Sequence, residues 1–284
     1  MNESGKLKLD KAENPLFTLA GKKAVPLNIE LNEEKILLLS GPNAGGKTVV
    51  LKSLGLYALM AQCGLFIPAN KAQFPIYTKF MADIGDRQSI EDDLSTFSAH
   101  IQTLATIVEQ ADQNTLILLD ELGTGTDPDA GAALSRAIME SLIQKNCTVI
   151  ATTHLGSLKV WASDEKGIIN GGMIFDSEAL APTYELQLGT PGASYALEIS
   201  KRMGLSDDII NRSKELVGDG SVNLENILGQ LEKERLAAES LRIDLQNREK
   251  KLKQIETQIF SKENEINKAH KKAKSNAVLE AEEI

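Results

Sequence analysis

The stretch Ile36–Lys52, ILLLSGPNAGGKTVVLK, constrains the fold more than any other part of the chain. An apolar run of strand character ends in a glycine-rich turn. Lys47-Thr48 follows, then an apolar pattern at helical spacing. Gly41 to Thr48 fit the pattern G-x-x-x-x-G-K-[ST]. In such a loop, here Gly41, Pro42, Asn43, Ala44, Gly45 and Gly46, backbone N–H groups converge on phosphate oxygens. Lys47 brings a positive charge to the β and γ phosphates, and the Thr48 hydroxyl ligates magnesium. The helix expected to start near Gly46 aims its positive dipole end at the same place. The pattern predicts a strand–turn–helix unit that binds a nucleotide, and with it a sheet covered by helices.

Further along, TLILLDE places Asp120 and Glu121 directly after the buried apolar run Leu116–Leu119. At the end of a strand, Asp120 can hold the magnesium shell and Glu121 can polarise an attacking water. Taken alone, the acidic pair could be a plain turn. GTGTDPDAG (123–131) allows a tight turn, and Asp127-Pro128 is a good helix start. The next strand candidate ends in ATTH. A lone histidine is usually structural, but His154 stands at the end of a strand expected to neighbour that of Asp120. DIGDRQSIEDDLSTFSAHIQTL (83–104) reads locally as an acidic loop, with Ser95 or Thr96 as the cap before an amphipathic helix.

Strand candidates at 35–40, 78–84, 115–121, 147–154, 167–176 and 183–189 alternate with helical patterns at 46–63, 95–111, 128–145, 193–203 and 206–217. This alternation predicts an α/β fold with a mostly parallel sheet covered by helices, with an antiparallel addition from the last two strands. VGDGSVN (217–223) breaks the pattern. It predicts a domain over 1–218 and a separate segment over 219–284. In the latter, Leu224, Leu228, Leu231, Ala238, Leu241, Leu245, Leu252, Ile255, Ile259 and Ile266 recur at heptad-like steps. Arg235, Arg248 and Lys262 fill skipped positions. The pattern suits a long coiled-coil helix of about 80 Å; a solvated single helix is the other reading. The chain stops at AEEI without a helix stop signal, which suggests a fragment of a longer protein.

The net charge of −9 lies in the first part, because Asn223–Ile284 hold 12 basic and 12 acidic residues. An acidic body binds a phosphate backbone poorly, so any nucleic-acid surface is expected to be local or to lie outside this chain. No apolar run approaches the ~20 residues that span a bilayer. The N-terminus has no apolar signal-peptide core, so a cytoplasmic location is the default expectation. The two cysteines, Cys63 and Cys147, are expected to be small buried hydrophobes. The histidines and cysteines show no zinc-ligand spacing.

GPNAGGKT, DIGDRQSIEDDLSTFSAH, LILLDELGTGTDP and ATTHLGSLK, in that order and spacing, together resemble the MutS ATPases, a branch of the ABC-type P-loop proteins. The resemblance runs from about Asn14 to the end. GTPGASYALEISKRMGLSDDIINRSKEL followed by a charged heptad segment is similar to the bacterial second MutS subfamily. That subfamily is associated with branched DNA, suppression of homologous recombination and collided ribosomes. It usually carries a C-terminal Smr domain, where any nuclease activity would lie.

The resemblance implies ATP with Mg2+ as cofactors, hydrolysis to ADP and phosphate, and a head-to-tail homodimer. Asn43 would touch the γ-phosphate side, and His154 would sense the γ-phosphate. Ser95 would reach the partner's ATP, Asp127 would line the interface, and Gln88 would couple it to the rest of the protein. Thr48 and Asp120 would hold the metal, and Glu121 would be the general base. DNA, branched or mismatched, would be bound through regions outside this chain; the ribosome is a further partner, and no membrane is implied. The family often places an aromatic before the VP of an N-terminal strand; here Lys23 and Ala24 stand there, which leaves adenine selectivity open. A mismatch-recognising MutS repair ATPase is the alternative within the family. A nucleotide-binding coiled-coil scaffold is the alternative of another class.

Overall fold

The computed structural model describes residues 5–42, 45–85, 93–176, 179, 181–193, 195–213, 215–216 and part of 234–262; among these, the side chains of 93–96 and 198 are not described. The chain divides into Met1–Gly229 and Gln230–Ile284, each described by itself. The first unit runs β1 (Leu7–Ala12), α1 (Pro15–Leu19), β2 (Leu27–Leu31), β3 (Ile36–Ser40), α2 (Lys47–Gln62), β4 (Lys71–Gln73) and β5 (Lys79–Asp83). It continues α3 (Asp93–Gln110), β6 (Thr115–Leu119), α4 (Pro128–Gln144), β7 (Thr148–Thr152), α5 (Gly156–Asp164), β8 (Ile168–Asp176), β9 (Ala181–Leu188) and α6 (Ala196–Arg202).

The main sheet has six strands in the order β5-β6-β7-β3-β8-β9. The first five run parallel. β3, β6 and β7 are buried at every position, as expected where helices cover both faces of a parallel sheet. Alternate residues build two cores. Leu37, Leu39, Leu116, Leu118 and Ile150 pack with α2 and the small sheet. Ile36, Leu38, Ile117, Leu119, Val149 and Ala151 pack with α3, α4 and α5. β9 pairs antiparallel with β8, because the link 177–180 is shorter than the dozen or so residues of a parallel crossover. The mixed α/β fold with a mostly parallel sheet therefore follows the sequence expectation.

The sequence reading missed a second sheet of three antiparallel strands, β2-β1-β4. Its strands are half-buried, Leu7, Leu9, Leu27, Ile29 and Leu31 facing inward and charged residues outward. Two other expectations are corrected. α3 begins at Asp93, so Ser95 and Thr96 lie in its first turn rather than capping it; acidic side chains favour that positive helix end. Cys147 is buried, but Cys63 is exposed, since it caps the solvent end of α2 and ends that helix.

In the second unit, residues 244–257 are helical. Of the residues at heptad-like steps, Leu241, Leu245, Leu252, Ile255 and Ile259 are 51–59% exposed.

Candidate functional site

Because β3, β6 and β7 are parallel neighbours, their carboxyl ends share one sheet edge. From β3 the chain turns through the glycine loop into α2, which starts at Lys47. The Lys47 ammonium is buried and donates to the carbonyls of Gly41 at 2.8 Å and Pro42 at 3.0 Å. Burial holds it below the ordinary lysine value; the Glu121 carboxylate opposes this, the Lys159 charge adds to it, and Asp120 opposes it. The buried amine stands at the N-terminal end of α2, where the positive end of the helix dipole also favours phosphate oxygens.

Asp120 leaves β6 at the same edge. Its Oδ1 is 3.2 Å from the Thr48 hydroxyl and accepts from the Thr152 hydroxyl at 2.6 Å. Thr152 Oγ1 in turn accepts from the Glu121 N–H at 2.7 Å, and the Leu122 N–H donates to the Thr152 carbonyl at 2.8 Å. These bonds hold Glu121 in a left-handed conformation, φ 52°. That conformation costs a non-glycine residue about 1–3 kcal/mol, and here it turns an exposed carboxylate out of the sheet edge. Thr48 Oγ1 and Asp120 Oδ1 are hard oxygen donors side by side, the ligand type that suits Mg2+.

His154, two residues past the end of β7, is exposed at this edge. Asp127 is exposed and caps α4, accepting from the N–H groups of Asp129 and Ala130 at 3.1 Å. α3, which carries Ser95, is brought to the edge by the contact of His100 Nδ1 with the carboxylate of Asp83 at the end of β5. The Asp83 carbonyl also accepts from the Asp120 N–H at 2.9 Å. Asn43, Ala44 and Gln88 lie outside the described residues, as does the Ser95 side chain.

Beside the loop opens a cavity of about 530 Å3, lined among others by Phe17, Lys22, Val25, Lys47, Thr48 and Tyr184. Asn14 fixes its α1 wall: Oδ1 caps the Leu16 N–H at 2.9 Å, and Nδ2 donates to Ser53 Oγ of α2 at 2.7 Å. The volume is in the range of small-ligand pockets. Asp120, Glu121, Asp127 and His154 are not among the residues that line it. Phe17, Tyr184 and Thr152 escaped the sequence reading. Thr152 lay inside the strand candidate 147–154, beside that of Asp120, with no pattern of its own to mark it.

Residues 37–219 match the family model described as MutS domain V. Three relatives, each named Endonuclease MutS2, are similar to this chain. The Thermus thermophilus protein is 48% identical over 81% of the chain and 30% of its own length. That of Thermomicrobium roseum is 46% identical over 83% and 30%, and that of Halothermothrix orenii 43% identical over 99% and 35%. The chain thus spans about a third of the length of these relatives. The chain belongs to the MutS domain V family.

Proposed function

We propose that this chain binds ATP with Mg2+, hydrolyses it to ADP and phosphate, and uses the nucleotide to hold a homodimer together. The observation that supports it best is the convergence of Lys47, Thr48 and Asp120 at one sheet edge, next to a cavity wide enough for a nucleoside. Phe17 and Tyr184 line the cavity and are suited to flank the base. Lys47 and the loop take the phosphates. Thr48 and Asp120 hold Mg2+, which when bound neutralises phosphate charge. Glu121 acts as general base toward water, and His154 reads the γ-phosphate.

The cavity encloses the base end, while Glu121, Asp127 and His154 are exposed outside it. Water-accessible catalytic groups suit a half-site that a second copy closes. In this reading Ser95 and Asp127 of the other copy complete each site, and Gln88 couples it to the rest of the protein. The domain spans 1–218 and the segment 219–284 forms a coiled coil.

From the resemblance of its motifs to the second MutS subfamily, we propose that the whole protein acts on branched DNA to suppress recombination, on stalled ribosomes, or on both. We assign no nuclease chemistry to these residues. The test is steady-state ATP turnover of the native chain against Glu121→Gln. The variant should lose at least about 100-fold in turnover while still binding ATP. Equal turnover would remove Glu121 from catalysis. Ser95→Ala should weaken ATP-dependent dimerisation and spare nucleotide binding to monomers; loss of monomer binding would count against a role in trans.

A further inference from the structure

The segment after β9 meets the phosphate loop at one glycine. A Cβ on Gly192 would stand 2.7 Å from the Ser40 carbonyl oxygen and 2.9 Å from Gly41 N and Cα. Only a glycine lets the two backbones approach this closely. The Gly192 peptide groups are held from both sides. Its N–H donates to Ser40 Oγ at 2.8 Å, and its carbonyl accepts from Lys159 Nζ at 3.2 Å. Ser40 is the last residue of β3 and Gly41 the first of the loop, and Gly41 also takes the Lys47 ammonium.

Lys159 lies on α5 and is only 2% exposed. An ammonium is costly to bury, and an apolar side chain of the same length would fill the space without that cost. What the amine adds is direction, since it fixes the Gly192 carbonyl. It is not among the residues that line the cavity. The surroundings of Lys159 are themselves fixed. Asn170 of β8 donates to the Lys159 carbonyl at 3.0 Å and to Ser163 Oγ at 2.9 Å, and its own carbonyl takes the Gly189 N–H at 2.7 Å. The Tyr195 ring stacks on Phe175 at 4.5 Å, immediately before α6.

We propose that Lys159 is a positioning residue for the phosphate loop, acting through the Gly192 backbone and Ser40 on Gly41 without touching nucleotide itself. The same clamp ties α6 to the nucleotide site, since the chain enters α6 directly from it. The inference deepens the ATP-binding reading above and rests on it.

The experiment uses the full 284-residue chain, native and as Lys159→Met, Ser40→Ala and both. Two quantities are measured: hydrogen exchange without nucleotide in peptides over 37–54 and 186–195, and affinity for a fluorescent ATP analogue. The expected result is faster exchange in both segments and about tenfold weaker affinity in each single variant, the size of one lost buried hydrogen bond. The double variant should be little worse than the weaker single one. Unchanged exchange with lost affinity would make Lys159 a direct phosphate ligand and overturn the proposal. Unchanged affinity, whatever the exchange, would reduce Lys159 to a packing role and also overturn it. Should Lys159→Met fail to fold, Ser40→Ala alone decides by the same two readouts. A native chain that binds no ATP analogue would sink the ATP-binding reading, whereas the exchange comparison, made without nucleotide, still judges the clamp.

Discussion

Thr152 is where the proposed hydrolytic edge depends on one hydroxyl. It donates to the Asp120 carboxylate and accepts from the Glu121 backbone, so it sets both the proposed metal ligand and the proposed base. Thr152→Val keeps the shape and removes both bonds. We expect a stability loss of about 1–2 kcal/mol and a 10- to 100-fold fall, roughly, in ATP turnover with affinity retained. Calorimetric melting and steady-state kinetics check this, and unchanged turnover would refute the relay. At the base end, Tyr184→Ala should weaken ATP affinity about tenfold, as expected for one lost stacking partner, with turnover at saturation kept. A titration that finds equal affinity would move the base elsewhere. Lys47, Thr48 and Asp120 were legible in the sequence because each belongs to a local pattern of strand, turn and helix. Thr152, Phe17 and Tyr184 were not, because what makes them part of the site is three strands and a short helix meeting in space.

Elements built on one strong period were legible in the same way. β3, β6 and β7 are unbroken apolar runs, and α2, α3 and α4 are long enough for a helical period to show. β1, β2 and β4 were missed because their inward residues alternate with Lys, Asp, Glu and Asn, so that no window is plainly apolar. α1 and α5 are short, and α5 follows His154 so closely that the motif drew the reading instead. α4 also sets the loop of the proposed base by contact. A Cβ on its Gly131 would clash with the Gly123 carbonyl oxygen, a backbone atom two residues after Glu121. Gly131→Ala must therefore push the 121–126 loop or the helix. We expect about 1–3 kcal/mol of destabilisation and reduced ATP turnover, with nucleotide affinity in the cavity unchanged. A variant that melts and turns over like the native chain would show that the loop yields freely.

The proposed function implies two kinds of self-association at the scale of the whole molecule, and they are separable. ATP-dependent pairing would use the exposed edge of the proposed catalytic site. Nucleotide-independent pairing would use the heptad stripe, or seam, of the second unit, where Leu245 and Leu252 are 55% and 59% exposed in a single copy. A leucine stripe in water gains by meeting its equal, at about 1.5–3 kcal/mol for each fully buried side chain. Lys at both positions forfeits that burial and brings like charges together. Leu245→Lys with Leu252→Lys should therefore weaken dimerisation without nucleotide by at least about 100-fold, measured by sedimentation across a concentration series. The same substitutions placed in the Glu121→Gln background should leave ATP-dependent dimerisation standing, because the catalytic edge supplies that contact from other residues. Equal association of the seam variant and the native chain without nucleotide would mean that the helix is solvated and single. Loss of the ATP-dependent dimer in the seam variant would mean that the catalytic edge cannot close unless the helices are already paired, so that the seam acts upstream of the nucleotide rather than beside it.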